Sequence, residues 1–324
     1  MRALPTIDDC NAASRTLEGR IHHTPVFSSR SLAERIGRPA HLKAELFQRT
    51  GSFKLRGATN RVAAMGRDER AAGVVTVSAG NHAQAAALAC VEQGIDVVVF
   101  MPRAASEAKV AATRGYGASV DLDSADGAEA FARMHEFAQR TGRSVLHPFD
   151  DPLVIAGAGT VGLELCAQVP QPGAVLVPAS GGGLVSGVAV AVRALAPSAR
   201  IIAVQPAATA TLEAGTQPVR RAPSIGPPSG TIADALTAPM IGELNLRVCE
   251  ALVDEVVHVS EDEIREGLRF LYARAKLACE PGAAAGVGAL LAGRVTDLGE
   301  GPTVAVVSGG NITPSVAAAI LGAA

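Results

Sequence analysis

The sequence predicts an α/β protein of two open parallel-sheet lobes with helices on both faces. Three observations carry that prediction. Short apolar runs rich in β-branched residues alternate with longer helical stretches, the pattern of βαβ units. Polar, glycine-containing loops follow several of these strands. Finally, His147-Pro148-Phe149-Asp150-Asp151-Pro152 punctuates the alternation with two prolines and an acidic pair, which marks a crossing between lobes.

The elements follow in order. Residues 6–20 form an amphipathic helix. In Ile21-His22-His23-Thr24-Pro25-Val26 the adjacent histidines invite a metal reading. Neighbours on an extended chain point to opposite sides, so a surface strand is the better reading. Residues 40–46 form a strand that delivers a loop and a helix over 53–65. The run Val74-Val75-Thr76-Val77 is a strand, Ser78 to His82 a loop, and residues 83–93 an Ala-rich helix. Strands over 96–100 and 116–122 are followed by helices over 105–114 and 125–141. After the crossing, Gly157-Ala158-Gly159-Thr160-Val161-Gly162 matches the formal GxGxxG pattern. No clear strand precedes it and no acidic residue ends a strand at the right distance beyond. It therefore reads as a helix with small residues for close packing rather than a dinucleotide loop. The second lobe repeats the alternation with strands over 174–177, 201–204, 253–259 and 303–307. Residues 211–228 read as irregular. Ser260 with Glu263 gives a capping box for a helix reaching Leu277, and Glu280-Pro281-Gly282 opens an Ala/Gly helix.

Composition narrows the function. The 324 residues are 48% apolar and contain no Trp, and the formal net charge is −2. That balance offers no broad attraction to nucleic acid or anionic lipid, so a small molecule is the expected partner. The five cysteines (Cys10, Cys90, Cys166, Cys249, Cys279) are dispersed and form no CxxC pair, as expected of reduced, mostly buried thiols in the cytosol. The N-terminus has no apolar signal core. Residues 174–192 are uncharged and nearly long enough to span a membrane, but Pro178 and Gly181-Gly182-Gly183 interrupt them. The expected location is cytoplasmic.

In open α/β sheets, ligands sit beyond the carboxyl ends of the strands. Three loops occupy that position, 78–82, 180–184 and 308–311, together with Lys54. Lys54 lies in a run of apolar and small residues beside Phe53, where desolvation lowers an amine's pKa and frees it to attack a carbonyl. Gly181, Gly182 and Gly183 expose backbone N–H groups at a helix start, a cup for phosphate. Ser308 offers a neutral hydroxyl, Asn81 an amide for a ring oxygen, and Phe53 an apolar cover for a flat ring. Together these suit pyridoxal 5'-phosphate.

The chain resembles the serine/threonine dehydratase family of fold type II pyridoxal-phosphate enzymes, which are similar to the tryptophan synthase β chain. Serine racemases and threo-3-hydroxyaspartate dehydratases are similar to it as well. Seven motifs carry the likeness: Thr50-Gly51-Ser52-Phe53-Lys54-x-Arg56-Gly57-Ala58, Ser78-Ala79-Gly80-Asn81-His82-Ala83-Gln84, His147 to Asp151, Ser180-Gly181-Gly182-Gly183-Leu184, Thr231-Ile232-Ala233-Asp234, Glu280-Pro281 and Ser308-Gly309-Gly310-Asn311. The resemblance implies that Lys54 carries the cofactor as a Schiff base and Phe53 packs on its ring. Asn81 bonds the ring oxygen, Ser180 to Leu184 hold the phosphate, and Ser308 faces the pyridine nitrogen. Ser78, Asn81 and His82 receive the substrate carboxylate. It also implies a large lobe (1–72 and 148–324), a small mobile lobe (73–147) and a homodimer or larger homo-oligomer.

Three departures from the family pattern matter. Ser180 replaces the first of four glycines in the phosphate loop, where its hydroxyl can add a contact. Ala79 stands where racemases place an acid/base serine, so elimination is favoured over racemisation. Gln205, Thr209 and Thr211 occupy the stretch where relatives use carboxylates for a divalent cation, so no metal is expected. The chain ends soon after Asn311, and no regulatory domain is expected. The implied reaction is β-elimination of L-threonine to 2-oxobutanoate and ammonia, with L-serine next and Lys54 as the base on Cα. The alternatives are a serine racemase, a threo-3-hydroxyaspartate dehydratase and, from residues 157–162 alone, a nucleotide-binding oxidoreductase.

Overall fold

The computed structural model describes residues 3–223 and 230–322. Helix α1 (Ile7–Leu17), strand β1 (Val26–Ser28) and helix α2 (Arg30–Ile36) lead into β2 (Ala40–Ala44). A 3-10 turn, Glu45–Phe47, then precedes α3 (Lys54–Ala63) and α4 (Arg67–Ala72). The next stretch alternates β3 (Val74–Val77), α5 (Asn81–Val91), β4 (Val97–Pro102), α6 (Glu107–Gly115), β5 (Ser119–Ser124), α7 (Gly127–Thr141) and β6 (Ser144–Val145). It is followed by α8 (Pro152–Gln168), β7 (Ala174–Pro178), α9 (Gly183–Leu195), β8 (Arg200–Pro206), α10 (Glu243–Leu252) and β9 (Glu255–Val259). Last come α11 (Glu261–Phe270), α12 (Pro281–Leu291), β10 (Thr303–Val307) and α13 (Pro314–Gly322).

Among the described residues the strands form two sheets, ordered β1-β2-β10-β7-β8-β9 and β5-β4-β3-β6. Every pairing of these strands is parallel except β1 with β2. β10 lies between β2 and β7, with Thr303 level with both Ala40 and Ala174. The loops that leave β2, β10 and β7 therefore emerge at one edge, beyond the carboxyl ends of the strands. All five residues of β7 and of β10 are buried. Leu176, Ala305 and Val307 face a core with α12, while Val175, Val177, Val304 and Val306 face a second core with α8 and α9. Burial on both faces explains why these strands are apolar without alternation.

The GxGxxG match lies inside α8 and serves helix packing. A Cβ at Gly157 would stand 2.6 Å from the Arg56 carbonyl oxygen, and one at Gly162 would stand 2.8 Å from Ala191 Cβ. These glycines let α3 and α9 approach α8 closely. A glycine loop at a strand end, which a dinucleotide requires, is not what they form.

Several boundaries differ from the sequence reading. The strand expected over 40–46 ends at Ala44, because Glu45 turns inward to meet Arg56. The Ala-rich helix begins at Asn81, so Asn81 and His82 belong to its first turn. The capping box holds: Glu263 N donates to Ser260 Oγ at 3.2 Å and Ser260 N to Glu263 Oε2 at 2.8 Å. That helix stops at Phe270 and continues as a π-helical turn over Leu271–Ala275, closed by left-handed Lys276 and the bond from Leu277 N to Leu271 O. Strand β6 and helices α4, α10 and α13 are not among the elements the sequence predicts. Of the irregular stretch 211–228, residues 224–228 lie outside the described residues. Among the described residues, no helix is long and apolar enough to cross a membrane. The uncharged stretch over 174–192 is instead β7, the glycine loop and α9.

Candidate active site

Lys54 opens α3, after a loop that is stitched to the end of β10. Ser52 bridges Gly309, Phe53 N donates to Ser308 O at 3.1 Å, and Gly310 N donates to Gly51 O at 2.8 Å. Lys54 Nζ donates to Pro148 O at 2.8 Å and lies 5.2 Å from the centre of the Phe53 ring. Burial pushes the amine down to about 8, against the pull of Glu280. A free-amine fraction at neutral pH follows, as the sequence setting of this lysine implied.

Behind Lys54, a buried charge network fixes α3. Arg56 Nε donates to Glu45 Oε2 at 2.7 Å and Nη1 to Glu164 Oε1 at 2.6 Å; Lys43 Nζ reaches Glu164 Oε2 at 2.6 Å. Arg56, Glu45 and Lys43 are wholly buried. The two cations and two carboxylates balance, and paired burial of this kind is strict about geometry.

The loop between β7 and α9 turns on glycines at the start of the helix. Gly182 caps α9 in the left-handed conformation, and Gly183 and Leu184 begin the helix. The first N–H groups of a helix have no intrahelical partner, so they point outward from this turn. The cup is closed from one side by Phe149, since a Cβ at Gly181 would lie 2.6 Å from Phe149 Cε1. Asn245 of α10 lies against Gly182, where a Cβ would stand 2.6 Å from its own Cβ. Ser180 Oγ accepts from Ala238 N at 2.9 Å, and its proton stays available to a ligand.

Beyond β3, Ser78 Oγ accepts from Gly80 N at 3.1 Å. Asn81 Oδ1 accepts from Asn311 Nδ2 at 2.8 Å, and Asn81 Nδ2 donates to Glu280 Oε1 at 2.7 Å. An amide carries two N–H bonds, so one remains for a ligand oxygen. The His82 side chain points elsewhere. Its Nε2 lies 3.0 Å from Thr76 Oγ1 and 3.3 Å from Leu146 O, and burial plus the charge of Lys54 push it down to about 3. What His82 offers the loop is its backbone N–H at the start of α5. Ser308 is buried at the carboxyl end of β10.

Other candidates resolve differently. His22 Nδ1 meets Phe47 O and His23 Nδ1 meets Gln168 Nε2, so the two imidazoles diverge. Gln205 Nε2 donates to Thr211 Oγ1 at 2.8 Å, and its Oε1 accepts from Thr211 N and Leu212 N. Thr209 Oγ1 donates to Leu236 O at 2.8 Å. Burial pushes the Cys249 and Cys279 thiols up to about 12, which leaves them poor nucleophiles.

A family described as "Pyridoxal-phosphate dependent enzyme" matches residues 17–309. The chain belongs to that family. Its relatives include an L-threonine ammonia-lyase of Thermotoga maritima, 40% identical over 95% of this chain and 76% of the relative. They also include a catabolic L-threonine dehydratase of Escherichia coli (strain K12), 40% identical over 98% of this chain and 96% of the relative. Among solved structures, maize serine racemase superposes with a TM-score of 0.90 at 35% identity, covering 97% of this chain and 95% of that one. A threonine deaminase from T.th. gives 0.87 at 38% identity, covering 95% and 99%.

The residues present fit the family's cofactor. A lysine with a lowered pKa, a glycine cup that any side chain at Gly181 would fill, and an amide with one donor to spare converge at the ends of β2, β7, β10 and β3. Sequence reasoning missed four contributors: Pro148, Phe149, Asn245 and Glu280. Phe149 and Pro148 stand in one of the family motifs and in the crossing between lobes, but neither motif nor punctuation gives them a role in the site. Asn245 lies in α10, which the sequence reading does not predict, and Glu280 stands in the Glu280-Pro281 motif without a role assigned to it.

Proposed function

We propose that this protein is a threonine dehydratase, an ammonia-lyase that converts L-threonine to 2-oxobutanoate and ammonia by β-elimination. The observation that carries the reading is Lys54, an amine of lowered pKa on a helix start stitched to the end of β10. When bound, pyridoxal phosphate captures primary amines through its aldehyde and draws electron density from the attached carbon. Lys54 Nζ would hold the cofactor, and as a free amine it would take the proton from the substrate Cα. Gly181, Gly182, Gly183, Leu184 and Ser180 would grip the phosphate, Asn81 would donate to the ring oxygen, and Phe53 would cover the ring. Ser308 would meet the ring nitrogen as a neutral partner. Ser78 and the first N–H groups of α5, at Asn81 and His82, receive the substrate carboxylate, where the helix dipole favours an anion.

Ala79 has no proton to give. The face opposite the lysine thus has no acid at that position, which favours loss of the β-hydroxyl over inversion at Cα. The names of two relatives, L-threonine ammonia-lyase and catabolic L-threonine dehydratase, support the choice of substrate. The neutral set Gln205, Thr209 and Thr211 supports a reaction independent of a divalent cation. Residues 1–72 and 148–324 serve as the cofactor lobe and 73–147 as a lobe that closes over substrate, in a cytoplasmic homodimer or larger homo-oligomer.

The test is release of 2-oxo acid from L-threonine, L-serine and threo-3-hydroxyaspartate, with and without magnesium, alongside chiral analysis of recovered serine. The expected result is 2-oxobutanoate from L-threonine as the fastest reaction. Faster formation of D-serine than of any 2-oxo acid would refute it in favour of a racemase.

A further inference from the structure

The orientation of the Asn81 amide decides what it offers a ligand. An amide turned by 180° occupies the same space but exchanges donor for acceptor, so only its neighbours fix it. Asn311 Nδ2 donates to its Oδ1 at 2.8 Å, and Glu280 Oε1 accepts from its Nδ2 at 2.7 Å. Asn311 is itself anchored by Thr50 O at 2.9 Å, on the loop that carries Lys54. The chain Thr50–Asn311–Asn81–Glu280 thus ties together the loops after β2, β10 and β3 and the start of α12.

Glu280 is built into this place. It is the residue before the first turn of α12, is 3% exposed, and its N donates to Gly309 O at 3.2 Å. Gly309 has no side chain because a Cβ there would strike Glu280 Oε1. The ion pair Lys109–Asp234 joins α6 to the 3-10 turn Asp234–Leu236, and both of its members act electrostatically on Glu280.

We propose that Glu280 is a positioning residue that orients the Asn81 amide, keeping one of its N–H bonds for the cofactor ring oxygen. The proposal rests on the cofactor-binding reading given above. It makes Glu280 a part of the site through Asn81, with no contact to substrate required.

The groups that face Glu280 set its protonation. Burial raises its carboxyl to about 8; the Asn81 hydrogen bond, Lys109 and Lys54 pull it down, and Asp234 pushes it up. Cys279 is its chain neighbour and keeps a thiol that burial raises to about 12. Glu280 therefore carries a proton at pH 7 and loses it as the pH passes about 8. The charge that appears strengthens the hold on Asn81 and favours the protonated form of Lys54.

The experiment uses the holoenzyme and two variants, Glu280→Gln and Glu280→Ala. The readouts are the visible absorption band of the bound cofactor from about pH 6 to 9.5 and the cofactor dissociation constant. For the wild type the band should shift with a midpoint near pH 8. Glu280→Gln keeps an acceptor for Asn81 and should hold cofactor within about threefold of wild type, with that pH transition gone. Glu280→Ala leaves the Asn81 donor unpaired and should weaken cofactor binding by about tenfold or more. A Glu280→Gln band that titrates as in wild type, with Glu280→Ala affinity within about twofold, overturns the proposal alone. A wild-type protein with no cofactor band overturns the underlying reading and this proposal with it.

Discussion

Alanine at Gly181 isolates the phosphate cup from every other feature of the site. Gly181 does not have the left-handed backbone of its neighbour Gly182, so alanine is conformationally allowed there. The penalty is contact alone. The new Cβ would lie 2.6 Å from both Cγ and Cε1 of Phe149. Ordinary contact begins at 3.4 Å, so loop and ring must part by roughly 1 Å. Phe149 is not free to yield. Its carbonyl accepts from Asn245 Nδ2 at 3.0 Å and its N donates to His147 Nδ1 at 3.3 Å. Overpacking of this kind costs about 1–3 kcal/mol, equivalent to about 5- to 150-fold in affinity if it falls on the bound loop. Apo-protein titrated with pyridoxal phosphate, followed by visible absorbance, should therefore show binding weakened by at least about fivefold. Gly181→Ala combined with Phe149→Ala should recover most of the loss. Affinity within about twofold of wild type for the single variant would refute the steric account, as would a double variant no better than the single.

Two further expectations follow from the site. Because Lys54 lies near 8, the rate at which apo-protein captures cofactor should fall about tenfold per pH unit below that value and level off above it, as stopped-flow absorbance would show. A rate flat from about pH 6 to 8 would mean that the amine is already neutral or is not the nucleophile. Glu45→Ala removes one partner of the wholly buried Arg56 and should destabilise the fold by about 3–5 kcal/mol in urea unfolding, whereas a loss under about 1 kcal/mol would show that Glu164 alone satisfies Arg56.

Much of this architecture is legible in the chain because it depends on local pattern. The β-branched runs at Val74 and Thr303 read as strands since both faces of their sheets are covered. The glycine run at 181–183 is legible as a tight turn at a helix start, and a Cβ at Gly181 or Gly182 would crowd Phe149 or Asn245. What stayed hidden depends on distant partners. Glu280 acquires its role from Asn81, 199 residues away in the chain, and a carboxyl before Pro281 carries no mark of that. His82 sits in a loop motif, yet its imidazole Nε2 is held by Thr76 and Leu146, partners set by the packing of α5 on β3. Strand β6 is two residues long and pairs with β3, too short for any periodicity to register. Glu45 broke the predicted strand because its partners, Arg56 and Thr24, lie outside the strand's own pattern.

The most direct measurement is borohydride reduction of the yellow holoenzyme followed by peptide mass mapping. One reduced pyridoxal phosphate adduct is expected, on the peptide that contains Lys54, and none in Lys54→Ala, which should also lose turnover. An adduct on another lysine, or full turnover by Lys54→Ala, would contradict it.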